Sequence, residues 1–374
     1  MYSIRITSCS LALALALTAL PLTGAAQDLT PTQPIYKSEL MPLATTRSLI
    51  LDVTEAASRA VAVGERGHVL VSESRTDWRQ VPDVPTRATL TAVTAVADNV
   101  WAVGHDGTII ASRDGGLTWT LQRRDVLDTS PDAVFDPRQG VPLLDILMLD
   151  AAHGFAVGAY SQLLRTDDGG VSWSFVETGS VDEQPDADLD QAETNSVGDD
   201  DSWTFSAEDL AMDDLAEPHF NAITHTGSGA LFIVGERGNA FRSRDDGLTW
   251  ERLRLPYGGS MFGVIGYQDD HVVVYGMRGN AFESRDLGDS WTQIDTGTDL
   301  SLMGGAAYGE NGFVMVGANG VVLMRPDGQS APREQVFTNA NHETPVLAAV
   351  MVRPNRSLIL AGDKGVDSFT SGNK

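Results

Sequence analysis

A glycine that closes a short apolar run returns seven times along this chain. The copies include "AVAVGERGHVLVSE" (Ala60 to Glu73), "VWAVGHDGTIIASRDGGLTW" (Val100 to Trp119), "LFIVGERGNAFRSRDDGLTW" (Leu231 to Trp250) and "LILAGDKGVDSFTSG" (Leu358 to Gly372). The anchor glycines are Gly64, Gly104, Gly158, Gly235, Gly276, Gly317 and Gly362, spaced by 40, 54, 77, 41, 41 and 45 residues. A unit that recurs about every forty residues buries its apolar faces against neighbouring copies. Each copy carries strand signals: an upstream apolar segment such as "SLILDV" or "FNAITH", the run into the glycine, a Gly-rich turn, an alternating segment such as "TIIAS", and a last short segment such as "ERLRL". Four short strands per unit predict an all-β chain, a seven-bladed β-propeller of four-stranded antiparallel blades spanning residues 33–374. The seventh unit stops after its third strand. A ring must hide its edges, so the segment Gln33 to Leu43 is expected to supply the outer strand of blade 7 and close the ring.

Between the third and fourth strands of most units lies the phrase Ser/Thr-x-Asp-x-Gly-x-Thr/Ser-Trp, the pattern of the Asp-box or BNR motif. The full copies are Ser112–Trp119, Thr166–Trp173, Ser243–Trp250 and Ser284–Trp291. In each, the carboxylate (Asp114, Asp168, Asp245, Asp286) suits acceptance of backbone N–H bonds across a tight turn. The glycine (Gly116, Gly170, Gly247, Gly288) permits a positive φ. The indole (Trp119, Trp173, Trp250, Trp291) returns to the layer between sheets. Blade 1 keeps a shortened "SESRTDW", and blade 6 keeps "RPDG" without the Trp. The phrase reads as a structural staple, so the work belongs elsewhere.

In a four-stranded meander the 1–2 and 3–4 turns share one face, while the 2–3 turns and the blade-to-blade links share the other. The 2–3 turns repeat a base: Arg66 and Arg237 in "GERG", Arg278 in "GMRG", Lys364 in "GDKG", with His105 at a neighbouring place in "GHDG". One reading is ordinary pairing of each Arg with the adjacent Glu65 or Glu236. The other is a basic, partner-binding patch, because guanidinium groups present a forked donor to carboxylates.

That patch would be unusual in this chain, which holds 26 Lys and Arg against 51 Asp and Glu, a net charge of -25. Such a chain repels phosphates, and nucleic acid is not expected as a partner. Residues 1–26 hold one Arg, an apolar run from Leu11 to Leu22 and small residues ending at Ala26, the pattern of a secretory signal peptide. The run is short for a membrane span. The only cysteine, Cys9, lies inside the signal segment, ahead of the apolar run, so the mature protein would carry no disulfide and no thiol nucleophile. Export to the periplasm is expected, without a membrane-spanning anchor, and as a monomer. Residues 178–218 form an insertion between blades 3 and 4 that reads as acidic and disordered. From Val181 to Pro218 it holds 14 acids and no Lys or Arg. Trp203, Phe205 and Leu210, interleaved with those acids, suit a segment that folds on a partner or over the arginine turns.

With seven repeats, "VGERG"-type turns and a secretory signal, the chain resembles the photosystem II stability/assembly factor family, and more closely that family's relatives in non-photosynthetic bacteria. The resemblance covers about residues 33 to 374. It implies a non-enzymatic seven-bladed propeller that assists assembly of a membrane protein complex through an arginine patch, matched here by Arg66, Arg237 and Arg278. The acidic insertion and blades 3 and 6 depart from that pattern. The alternative is a glycan-binding or glycoside-cleaving protein, since Asp-boxes also occur in sialidases. Those enzymes use a Tyr, a Glu and an arginine triad near the axis. The inner segments here look apolar or small, with Tyr267 and Tyr308 the visible tyrosines and no Arg beside them. The seven histidines show no metal spacing, "DDD" at Asp199 to Asp201 lacks an EF-hand frame, and no Gly-Lys-Ser/Thr phosphate loop occurs. Neither a metal nor a cofactor is expected.

Overall fold

The computed structural model describes residues 36–125, 138–178 and 217–370. The signal segment, nearly all of the acidic insertion and its Trp203, Phe205 and Leu210 lie outside the described residues.

Seven antiparallel sheets follow one another along the described chain, each with its strands in sequence order. Blades 1 to 6 have four strands and blade 7 has three. The innermost strands are Ile50–Glu55, Leu90–Val96, Leu143–Met148, Phe220–His225, Met261–Gly266, Leu302–Tyr308 and Leu347–Val352. Each lies beside the next, and that of blade 7 returns to that of blade 1, so the sheets close into a seven-bladed β-propeller. The second strands are buried throughout, as "AVAVG" and "LFIVG" predict for strands covered on both faces.

The cores lie between blades. Val61 and Val71 of blade 1 pack with Val93, Ile110 and Trp119 of blade 2, and Phe232 of blade 4 packs with Val274 and Phe282 of blade 5. No blade could bury these faces alone.

The described residues show no N-terminal strand at the seam. Residues 36–43 form no strand. They lie on blade 1 instead: Ser38 N donates to Val84 O at 2.9 Å and its Oγ to Arg66 O at 3.0 Å. Gln80 brackets the same segment, donating to Glu39 O and accepting from Met41 N. One helical turn, α1 (Ala44–Arg47), then buries Ala44 with Ile50, Ala349 and Ile359 across the joint between blades 7 and 1. Its Thr45 carbonyl sits so close to Gly365 that a Cβ there would lie 2.1 Å from it. The described part of this segment bonds to blade 1 and adds no strand to the three of blade 7.

Candidate functional site

The repeated phrase forms the 3–4 turn of blades 2 to 5, and its bonds recur. Asp114 Oδ1 accepts the N–H groups of Leu117 and Thr118, and Oδ2 accepts the Thr118 hydroxyl. Asp168, Asp245 and Asp286 take the same bonds from Ser172, Thr249 and Ser290. The Ser290 hydroxyl and N–H, with the Ser284 hydroxyl, hold the Asp286 carboxyl down at about 2. Gly116, Gly170, Gly247 and Gly288 have φ of 77 to 94°, and a Cβ on each would press into a side chain of the preceding blade. Trp119 Nε1 donates to Gly116 O at 2.9 Å. Trp250 and Trp291 stack edge-on against Phe155 and Phe232 of the preceding blade, and Trp173 packs at the joint of blades 2 and 3.

The turns also consume arginines. The residue between the Asp and the Gly is in the left-handed region, and its carbonyl accepts from an arginine of the blade before. Arg59 donates to Gly115 O, Arg113 to Gly169 O, Arg165 to Asp246 O and Arg242 to Leu287 O. On this face the guanidinium groups join blade to blade. Blade 1 imitates the turn with Ser74 Oγ accepting from Thr76 N and Asp77 N, and blade 6 with Asp327.

The opposite face is built differently. In blades 1, 4 and 5 the anchor glycine is followed by a turn whose two central residues both have positive φ: Arg66–Gly67, Arg237–Gly238 and Arg278–Gly279. Closing bonds run from His68 N to Glu65 O, Asn239 N to Glu236 O and Asn280 N to Met277 O. This is the type I′ geometry, which favours Asn, Asp or Gly at its first central place. Blades 2 and 6 use the favoured residues, Asp106–Gly107 and Asn319–Gly320. An Arg in the left-handed region carries a steric cost of about 1 kcal/mol. Changing Arg66 and Arg278 to Asn should therefore stabilise the fold by up to about 1 kcal/mol each, measured as a rise in denaturant midpoint.

The adjacent acids are engaged by backbone N–H groups. Glu65 Oε1 accepts Leu49 N, Glu236 Oε2 accepts His219 N, and Asp363 Oδ1 accepts Val346 N, so all three tie the turn to the start of their own blade's inner strand. Arg66 and Arg278 are exposed and form no ion pair among the described residues. Arg237 is half-buried, and its carbonyl accepts from Arg254. His105 takes the place of Glu65, one residue before the left-handed position. Lys364 departs from the pattern: Gly362 pairs directly with Gly365, leaving Asp363 and Lys364 as a two-residue hairpin loop, and Lys364 Nζ lies 3.8 Å from Glu343. Topology thus places Arg66, His105, Arg237, Arg278 and Lys364 on one face, three of them in equivalent turns.

A second constellation was hidden in the inner strands. Each inner strand has a bulge after its first residue. The residue just past it is Asp52, Ala92, Asp145, Ala222, Gly263, Gly304 or Ala349, one per blade. Asp52 accepts Val53 N and, from blade 2, Val93 N, both at 2.8 Å. Asp145 accepts Ile146 N and, from blade 4, Ile223 N, both at 2.8 Å. These N–H groups belong to the unpaired edge of the innermost strands, which faces the propeller axis. Removal from bulk water pushes both carboxyls up to about 7, against the pull of the N–H bonds. In blade 5 the ring position is Gly263, and the residue paired with it is Tyr275 where blades 1 and 3 have Val63 and Val157. A Cβ on Gly263 would lie 2.1 Å from Tyr275 Oη, and one on Gly305 would lie 2.7 Å from its ring.

Neither tyrosine visible in the sequence reaches this position. Tyr267 is stacked on His271 and donates its hydroxyl to Gly312 O. Tyr308 lies at the far end of its strand, and Arg356 does sit over its ring, 5.7 Å from the centroid. The signal that marks the axial groups is a carboxylate inside an otherwise apolar inner segment, at one register, in "SLILDV" and "LLDILML".

No protein-family profile matches the sequence, and no curated protein does. Solved structures share its fold. YCF48 bound to a D1 peptide aligns with a TM-score of 0.61 at 14% identity, covering 91% of this chain and 98% of that one. YCF48 from Cyanidioschyzon merolae gives 0.61 and 14%, covering 89% and 99%. The GH74 enzyme of Niastella koreensis gives 0.60 and 13%, covering 90% of this chain and 53% of its own. At these identities the likeness establishes the propeller fold.

Proposed function

We propose that this chain is an exported, non-enzymatic propeller that works in the periplasm as an assembly or stability factor for a membrane protein complex. It holds a carboxylate-bearing segment of a protein partner on the face of the 2–3 turns, through Arg66, Arg237 and Arg278, with Lys364 and His105 at the margin. One observation carries this reading. Exposed Arg66 and Arg278 occupy left-handed turn positions where Asn or Asp would be less strained, and they form no ion pair among the described residues of a chain with net charge -25. Residues that break a local rule without a structural gain mark function. The likeness to YCF48, one structure of which holds a peptide, supports a protein segment as ligand.

The test is affinity capture from a detergent-solubilised native envelope, using the mature protein beside an Arg66→Glu/Arg237→Glu/Arg278→Glu variant. The unmodified protein should retain a membrane complex, and the variant should retain at least about a hundredfold less, since each charge reversal adds repulsion to a lost pair. Equal retention would refute the assignment of this face.

A further inference from the structure

The axial ring is polar at three blades and bare at four. Blades 2, 4, 6 and 7 contribute only Ala or Gly there, so blades 1, 3 and 5 supply all its side-chain chemistry. Each carboxylate oxygen of Asp52 and Asp145 accepts one backbone N–H and keeps a lone pair free. No Lys, Arg or His among the described residues bonds to either group. Tyr275 is 5% exposed, and its hydroxyl, which makes no hydrogen bond among the described residues, is left to meet solvent or a ligand. Its ring reaches the ring position only because Gly263 and Gly305 make way. Paired Gly263 and Tyr275 thus place an oxygen at the register that Asp52 and Asp145 occupy elsewhere.

We propose that the propeller axis is a binding site for an organic cation, an amine or guanidinium group, held by the carboxylates of Asp52 and Asp145 and the hydroxyl of Tyr275. A cation supplies what each group lacks: counter-charge for two carboxylates and a donor for an unpaired phenol oxygen. An anion would meet like charge. A neutral sugar would find hydrogen-bond donors scarce, because the ring is rich in acceptors. The titratable groups acting here are Asp52, Asp145 and Tyr275, with Tyr267 behind the last. An opposite charge close by favours the ionised carboxylates, so cation binding at neutral pH releases protons.

The probe is agmatine, which carries both an amine and a guanidinium. Calorimetric titration at pH 7 in two buffers of different ionisation heat should show saturable binding with proton release. Asp52→Asn/Asp145→Asn should weaken binding by at least about tenfold. Tyr275→Phe removes one oxygen, and should weaken binding several-fold without unfolding the protein. Proton release on the unmodified protein stands as evidence even where the double variant does not fold. Absence of saturable binding up to about 10 mM (the weak end of specific affinity) would overturn the proposal. So would binding without proton release that Tyr275→Phe leaves unchanged. Preferential binding of a neutral oligosaccharide, lost in the same variants, would replace it with a glycan site.

Discussion

Trp119→Ala is expected to destabilise the fold by about 3–5 kcal/mol, the range for deleting a buried aromatic. The indole is 8% exposed, packs among Val61, Val71 and Ile110 at the joint of blades 1 and 2, and satisfies Gly116 O through its N–H. Its removal opens a cavity between two sheets and leaves that carbonyl unpaired. Trp173, at the next joint, is partly exposed and its Nε1 has no hydrogen-bond partner among the described residues. Trp173→Ala should therefore cost roughly half as much. Urea unfolding followed by far-ultraviolet circular dichroism gives both values. Losses below about 1 kcal/mol at both sites would show that the phrase acts through its turn alone and that indole packing contributes little.

The second large effect is a stability maximum on the acid side of neutrality. Asp52 and Asp145 ionise near 3.8 when unfolded and near 7 when folded. Between those values the folded chain binds more protons than the unfolded one, so stability falls as pH rises from about 4 to 7 and is level above the folded value. Together the two carboxyls are worth on the order of a few kcal/mol, reduced by solvent screening because both side chains are only half-buried. At the acid end the sign reverses. Asp286 is depressed to about 2, and Asp114, Asp168 and Asp245 also lie below their ordinary value. Their contribution is complete above about 3.8 and is lost as pH falls toward 2. The unfolding midpoint should thus peak between about pH 4 and 5. Asp52→Asn/Asp145→Asn should flatten the limb between pH 5 and 8 and leave the acid limb in place. A double variant that keeps the full neutral limb would assign that limb to the general repulsion of an acidic surface.

The seven units were legible because their determinants are local. An anchor glycine, a type I′ turn and an Asp that gathers N–H groups leave the same mark in every copy. Three features were not legible. "GDKG" looks like "GERG", yet Gly365 pairs in the sheet and Lys364 falls into a shorter hairpin; only strand register separates the two. The segment after Tyr36 reads as an unplaced strand, but its course is decided by Gln80 and Arg66 of blade 1, side-chain contacts that no periodicity reports. Asp52, Asp145 and Tyr275 come together only when the ring closes, from segments that look apolar one at a time. Sequence leaves open a pairing of Arg66 with Glu65; among the described residues the two form no ion pair, and Glu65 Oε1 accepts Leu49 N.

The most direct test of the basic face is envelope capture by the Arg66→Asn/Arg278→Asn variant. Asn relieves the turns rather than straining them, so lost binding could not be laid to misfolding. The account predicts a higher unfolding midpoint together with retention of the membrane complex at least about tenfold lower, the loss of two charge-assisted contacts. A higher midpoint with retention unchanged would contradict it, and would mean that these arginines do not hold the partner.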